Sequence, residues 1–205
     1  MYKRQVRLQK VFCLLALIAS ALVFVYSLGL ATDLYDAFYK TMPFPEDESM
    51  DVVAGARIFY HIQPFNNHLM LAGLGLMIIS LGFYITQTQN RRRYYIGNYC
   101  ATGIWVVAAV AVAGWMHKWA QFYKAEFQRV DFAKLEELYG GSDSLILTRN
   151  DTFWFDIHYA VMAALILMSV VMVANVFWKI SLMKQEAALL AGAPAKEKGR
   201  ASAQI

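Results

Sequence analysis

Four apolar stretches that contain no Asp, Glu, Lys or Arg constrain this 205-residue chain more than any other feature. They run Val11–Leu30, Leu69–Ile85, Tyr99–Met116 and Ala160–Trp178. Each matches the roughly 17–25 residues that a helix needs to cross a hydrocarbon core of about 30 Å. Soluble domains seldom repeat such stretches, because their surface helices carry a polar face. The sequence therefore predicts an all-α integral membrane protein, an antiparallel bundle of four transmembrane helices with a small helical extracytoplasmic cap. Spans are expected at about 11–30, 69–86, 99–118 and 155–178, with segments 31–68 and 119–154 forming the cap. The Ala/Gly/Lys-rich tail, 183–205, reads as disordered.

Charge is sorted by side. The N-terminus, the Gln87–Asn98 link and the C-terminal tail together hold 12 Lys/Arg and two acidic residues, Glu186 and Glu197. The connections Ala31–His68 and His117–Tyr159 hold seven Lys/Arg and 13 acidic residues. Retention of positive residues on the cytoplasmic side predicts both termini inside, in a bacterial cytoplasmic membrane. The same sorting argues against nucleic-acid binding, since no soluble face gathers the basic residues. Met1-Tyr2-Lys3-Arg4-Gln5 resembles the translation of a sequencing adaptor joined to an incomplete gene, so the natural start is expected upstream and the pentapeptide is set aside. Without Lys3 and Arg4 the bias still leaves ten basic residues inside.

Between the spans, Lys40–Pro45 breaks any continuation of the first helix, and a short amphipathic helix is expected over Glu48–His61. Gln63–Asn67 reads as a turn, with Asn66 or Asn67 capping the second span. The third span is expected to run on through Phe127, with Asp131 capping a further helix at Phe132–Tyr139. Asn150, Asp151 and Thr152 offer caps for the fourth. Trp115, Trp119 and Trp154 mark one interface and Trp178 the other.

Candidate chemistry is sparse. All four histidines fall toward the predicted outer side. At 100° per residue His68, Ala72, Gly75, Ile79, Gly82 and Thr86 share one face, as do His117, Gly114, Ala113, Val110, Val106 and Gly103. Small residues let membrane helices approach, so these faces are expected to meet other helices, with Gly75, Gly82 and Gly114 as interaction residues. His68 and His117 would then sit at similar depth, placed to ligate haem b or copper or to contact a quinone. His158 and Asp156 are the further metal-ligand candidates. The basic link Arg91-Arg92-Arg93 reads as a topology lock or a patch for anionic lipid or a partner.

Other classes lack their residues. A proton- or ion-coupled carrier places an ionisable residue at the membrane interior, and only Ser20, Ser80, Thr102, Ser169 and Asn175 are polar at depth here. Those hydroxyls are expected to bond their own helix backbone. A membrane thiol oxidase needs paired cysteines facing the oxidising side, whereas Cys13 and Cys100 fall at the opposite ends of their spans. Consecutive acids such as Glu136-Glu137 point about 100° apart on a helix and do not converge for catalysis. By elimination the sequence suggests a non-enzymatic accessory or scaffold subunit of a larger membrane assembly, partnered by the bilayer and by another membrane protein or a second copy. The alternative is a redox protein using His68 and His117.

Overall fold

A computed structural model of the chain describes residues 2–31, 53–87, 95–139 and 148–192. The regular structure among them is entirely helical: α1 (Tyr2–Gly29), α2 (Ile58–His61), α3 (Gln63–Gln87), α4 (Tyr95–Phe127), α5 (Phe132–Tyr139), α6 (Phe153–Asp156) and α7 (His158–Gly192). Four segments are long and apolar enough to cross a membrane: Arg7–Gly29, Gln63–Ile85, Asn98–Phe127 and Phe153–Leu189. The fourth combines α6 and α7. The all-helical membrane-protein class read from the sequence therefore stands.

The long helices form a ring in which chain neighbours are spatial neighbours: α1 packs on α3 and α7, and α4 packs on the same two. Each turns one stripe inward. On α1 it is Cys13, Ala16, Ser20, Val23 and Ser27; on α3 it is Leu69, Gly73, Leu76, Ser80 and Phe83. Trp105, Ala109, Ala113, Met116 and Ala120 supply α4, and Val161, Leu165, Met168 and Met172 supply α7. The opposite faces are equally greasy: Ile78, Val107 and Phe177 are each about 70% exposed. Surface of this kind is tolerated in quantity by lipid and not by water.

In lipid the apolar effect does not pull helices together, so close packing and interhelical hydrogen bonds must do so. The α1–α3 seam shows both. A Cβ on Gly73 would stand 2.7 Å from the Phe24 backbone nitrogen, so only glycine permits the backbones to come this close. Lower in the seam, Ser20 and Ser80 meet Oγ to Oγ at 3.1 Å while Trp105 Nε1 donates to Ser20 at 3.3 Å. Ser20, Ser80, Thr102 and Ser169 also bond their own helix carbonyls, as the sequence suggested.

Several local expectations change. Helix α3 begins at Gln63, so Gln63–Asn67 is its first turn and not a loop. Pro64 fits there because a first-turn N–H has no helical partner to lose. Asn66 consequently does not cap; buried, it turns its amide toward Ser27 O and Ala31 N. Asp131 does cap α5, accepting from Lys134 N at 3.1 Å. Thr152 makes no cap bond, and Asp151 folds back onto Thr148 instead. Helix α7 continues to Gly192, ten residues into the tail expected to be disordered, through a run of strong helix formers, Lys184–Ala191. Of the described part of the predicted amphipathic helix, Val53–His61, only Ile58–His61 is α-helical; Glu48–Val52 lies outside the described residues, as do Arg91, Arg92 and Arg93.

Candidate functional site

The structure joins a different pair of histidines from the one the sequence proposed. His117, near the end of α4, places Nδ1 3.1 Å from Nε2 of His158, the first residue of α7. His158 is fully buried, and its Nδ1 bonds the Phe155 carbonyl. A carbonyl only accepts, so Nδ1 of His158 carries a proton. In the neutral ring Nε2 is then the acceptor, and His117 Nδ1–H donates to it. Tyr159 flanks both rings, 4.0 Å from His158 and 5.7 Å from His117 between centroids, and its hydroxyl accepts from Gln121.

His68 is not part of this cluster. It is exposed on α3 and its Nδ1 donates to Pro64 O at 2.6 Å. The inward stripe of α3 passes through Leu69, and one residue's rotation of 100° carries His68 out of the bundle. The expected pairing of His68 with His117 is thereby replaced by His117 with His158.

Asp156 lies beside the pair but is already committed. One carboxylate oxygen takes Lys124 Nζ at 2.5 Å and the other takes Thr152 Oγ1 at 2.7 Å. Among the described residues no three His, Cys, Asp or Glu side chains gather as a metal-holding group. The histidine pair itself is too tight for two axial ligands across one iron, which need about twice a ~2 Å metal–nitrogen bond. Its 3.1 Å separation is close to the edge of a tetrahedral site, about 3.3 Å from the same bond length.

The glycines also sort differently. At Gly75, Gly82, Gly103 and Gly114 no described residue beyond the local helix lies within 4 Å of a would-be Cβ. At these glycines no other described helix comes into contact, although Ala113 and His117 on the same face of α4 point into the bundle; Gly73, two residues from Gly75, makes a close contact.

At the opposite end, which carries the start of α1 and the end of α7, the structure reveals a polar cluster that sequence reasoning missed. Lys179 is 5% exposed; its ammonium donates to Asn98 Oδ1 at 3.2 Å and lies 5.6 Å from the Tyr99 ring centre. Gln9 Nε2 donates to the same Asn98 oxygen at 3.0 Å, and Thr102 bonds the Asn98 carbonyl. Asn175 lies one turn from Lys179 on α7 and accepts from Gln5, a residue of the pentapeptide set aside above. The signal was present as four-residue polar spacings, Asn98/Thr102 and Asn175/Lys179, each on one helical face. Ending the fourth span at Trp178 placed Lys179 among the solvated charges and hid it.

Comparison of the chain with protein-family models, with curated proteins and with solved structures finds no match.

Proposed function

We propose that this chain is a non-enzymatic accessory subunit whose α3 and α4 surfaces at Gly75, Gly82 and Gly114 receive a helix of a partner membrane protein or of a second copy. One observation carries the reading: a Cβ on Gly75, Gly82 or Gly114 would meet no described residue within 4 Å beyond its own helix surroundings. Glycine costs helix stability and adds no lipid-facing bulk, while its known use in membranes is to admit a neighbouring backbone. The finer architecture belongs to the same proposal. The helices alternate in direction, both termini are cytoplasmic in a bacterial membrane, and the segments around α2 and α5 form the outer cap. The charge sorting supports the orientation. Contacts support the alternation: Gln9 near the start of α1 reaches Asn98 near the start of α4 at one end, and the end of α1 at Gly29 abuts Trp154 of α6 at the other.

Purification in mild detergent tests it. Wild-type chain is expected to isolate with a stoichiometric partner or as an oligomer, and Gly75→Leu with Gly82→Leu is expected to release it without unfolding. A wild-type chain that always isolates as a lone monomer rejects the reading.

The histidine pair favours one alternative, a redox or metal-binding protein in which His117 and His158, rather than His68 and His117, provide two ligands. Asp156, which accepts one hydrogen bond on each oxygen from Lys124 and Thr152, keeps a lone pair on each with which to join. An absorption spectrum and metal analysis of the purified chain decide: a chromophore or a bound metal lost on His158→Ala supports it, and a colourless, metal-free preparation discards it.

A further inference from the structure

The histidine pair fixes more than its own hydrogen bond. The Phe155 carbonyl takes Nδ1–H of His158, and Nε2 of His158 takes Nδ1–H of His117, so the proton of neutral His117 is held on Nδ1. Its Nε2 is left as an acceptor. That nitrogen has no partner among the described residues and is not sealed inside the bundle. Beside it stands Tyr159, 46% exposed, its ring centre 5.7 Å from that of His117. The Tyr159 oxygen accepts from Gln121 Nε2 at 2.9 Å, and its own hydrogen has no acceptor among the described residues. Gln121 lies one turn beyond His117 on α4 and orients that hydroxyl.

Depth and charge narrow the ligand. His117 is the first residue after the charge-free stretch Tyr99–Met116, and Tyr159 is the last before Ala160–Trp178. Both stand where the hydrocarbon ends, so a ligand with an apolar body reaches them from the bilayer. The basic residues that follow on α4 are engaged elsewhere: Lys124 pairs with Asp156, and Lys118 Nζ lies 5.9 Å from the Trp119 ring centre. An anionic headgroup is therefore poorly matched. What the site offers is one neutral acceptor, one neutral donor and an exposed aromatic ring.

We propose that His117 and Tyr159 bind the head of a lipid-soluble quinol. A phenolic hydroxyl of the ligand donates to His117 Nε2 and accepts from the Tyr159 hydroxyl, while its ring packs against Tyr159 and its tail lies in the bilayer. The fixed tautomer makes the site selective for the reduced form. A quinone carbonyl has no hydrogen to donate and would set its lone pairs against that of Nε2. The site uses the His117–His158 bond intact, so it is distinct from metal ligation by that pair. It does not rest on the glycine faces, and failure of either test leaves the other standing.

Full-length chain in detergent, titrated anaerobically with a decyl-chain benzoquinol and separately with its quinone, tests this by isothermal calorimetry. One quinol per chain is expected, bound roughly tenfold more tightly than the quinone, the scale of one hydrogen bond. Tyr159→Phe should weaken both forms several-fold. His117→Asn, which can still donate to His158 but is too short to place an acceptor where Nε2 stands, should bind the two forms alike. Absence of quinol binding, equal affinity of the wild-type chain for the two forms, or a preference for the quinone overturns the proposal. Displacement by decanol as readily as by the quinol overturns the aromatic assignment. The wild-type preference decides the matter even where a variant fails to fold.

Discussion

Helix α3 has two faces that look alike in sequence and differ completely in the folded chain. One carries Leu69, Gly73, Leu76, Ser80 and Phe83 and is packed against α1; the other carries His68, Ala72, Gly75, Ile79 and Gly82 and has no neighbour among the described residues at its glycines. Both are small-residue faces with a polar group, and both satisfy the general pattern for membrane helix association. The first carries the close α1 contact; the second packs on the core through Ile79 and leaves its glycines without a described neighbour. In a lipid-solvated helix every face is apolar, so residue type loses the power to mark the inside that it has in soluble proteins.

The contrast breaks or sharpens under substitution. The largest effect is expected for Gly73→Leu, which forces α1 and α3 apart and should cost about 3 kcal/mol, the upper part of the range for overpacking. Thermal unfolding in detergent reads it, and an unchanged melting temperature would remove the seam from the argument. Next comes His117→Ala, which takes the partner from Nε2 of the buried His158. A loss of about 1–2 kcal/mol is expected from the stranded acceptor. His117→Asn, able to donate, should recover part of it. Ser80→Ala is expected to cost about 0.6 kcal/mol, the usual worth of an interhelical hydrogen bond in membranes. It should leave Ser20 still accepting from Trp105. Smallest are Gly75→Leu and His68→Ala, each within about 0.5 kcal/mol of wild type for the isolated chain, since a Cβ at Gly75 meets no described neighbour and His68 is exposed. Gly75→Leu should nonetheless abolish partner capture, and if it unfolds the chain as Gly73→Leu does, the two faces are not distinct.

The two polar clusters show where the sequence could be read and where it could not. The serines and Thr102 were legible because a lone hydroxyl in lipid has its own helix carbonyl within reach. The Lys124–Asp156 pair was open to no such reading, since it joins residues 32 apart across two helices. Lys179 lay within reach of the Asn175 spacing, but a hydropathy boundary drawn one residue too early removed it. The histidines were placed at the correct end of their helices and assigned the wrong partner. An error of one residue in phase, 100° of rotation, moved His68 outside the bundle and left His158 to fill the place.

Sequence alone determined the solvent of this protein and the number and type of its long elements. Both follow from the length of charge-free apolar runs and from the need of backbone amides in lipid to bond within their own segment. Tertiary structure decided the rest: which stripe of each helix faces inward, which glycine admits a backbone, and which histidines touch. Those are settled by packing shape and by a few hydrogen bonds worth about 1 kcal/mol each. A periodic string of apolar letters does not encode them.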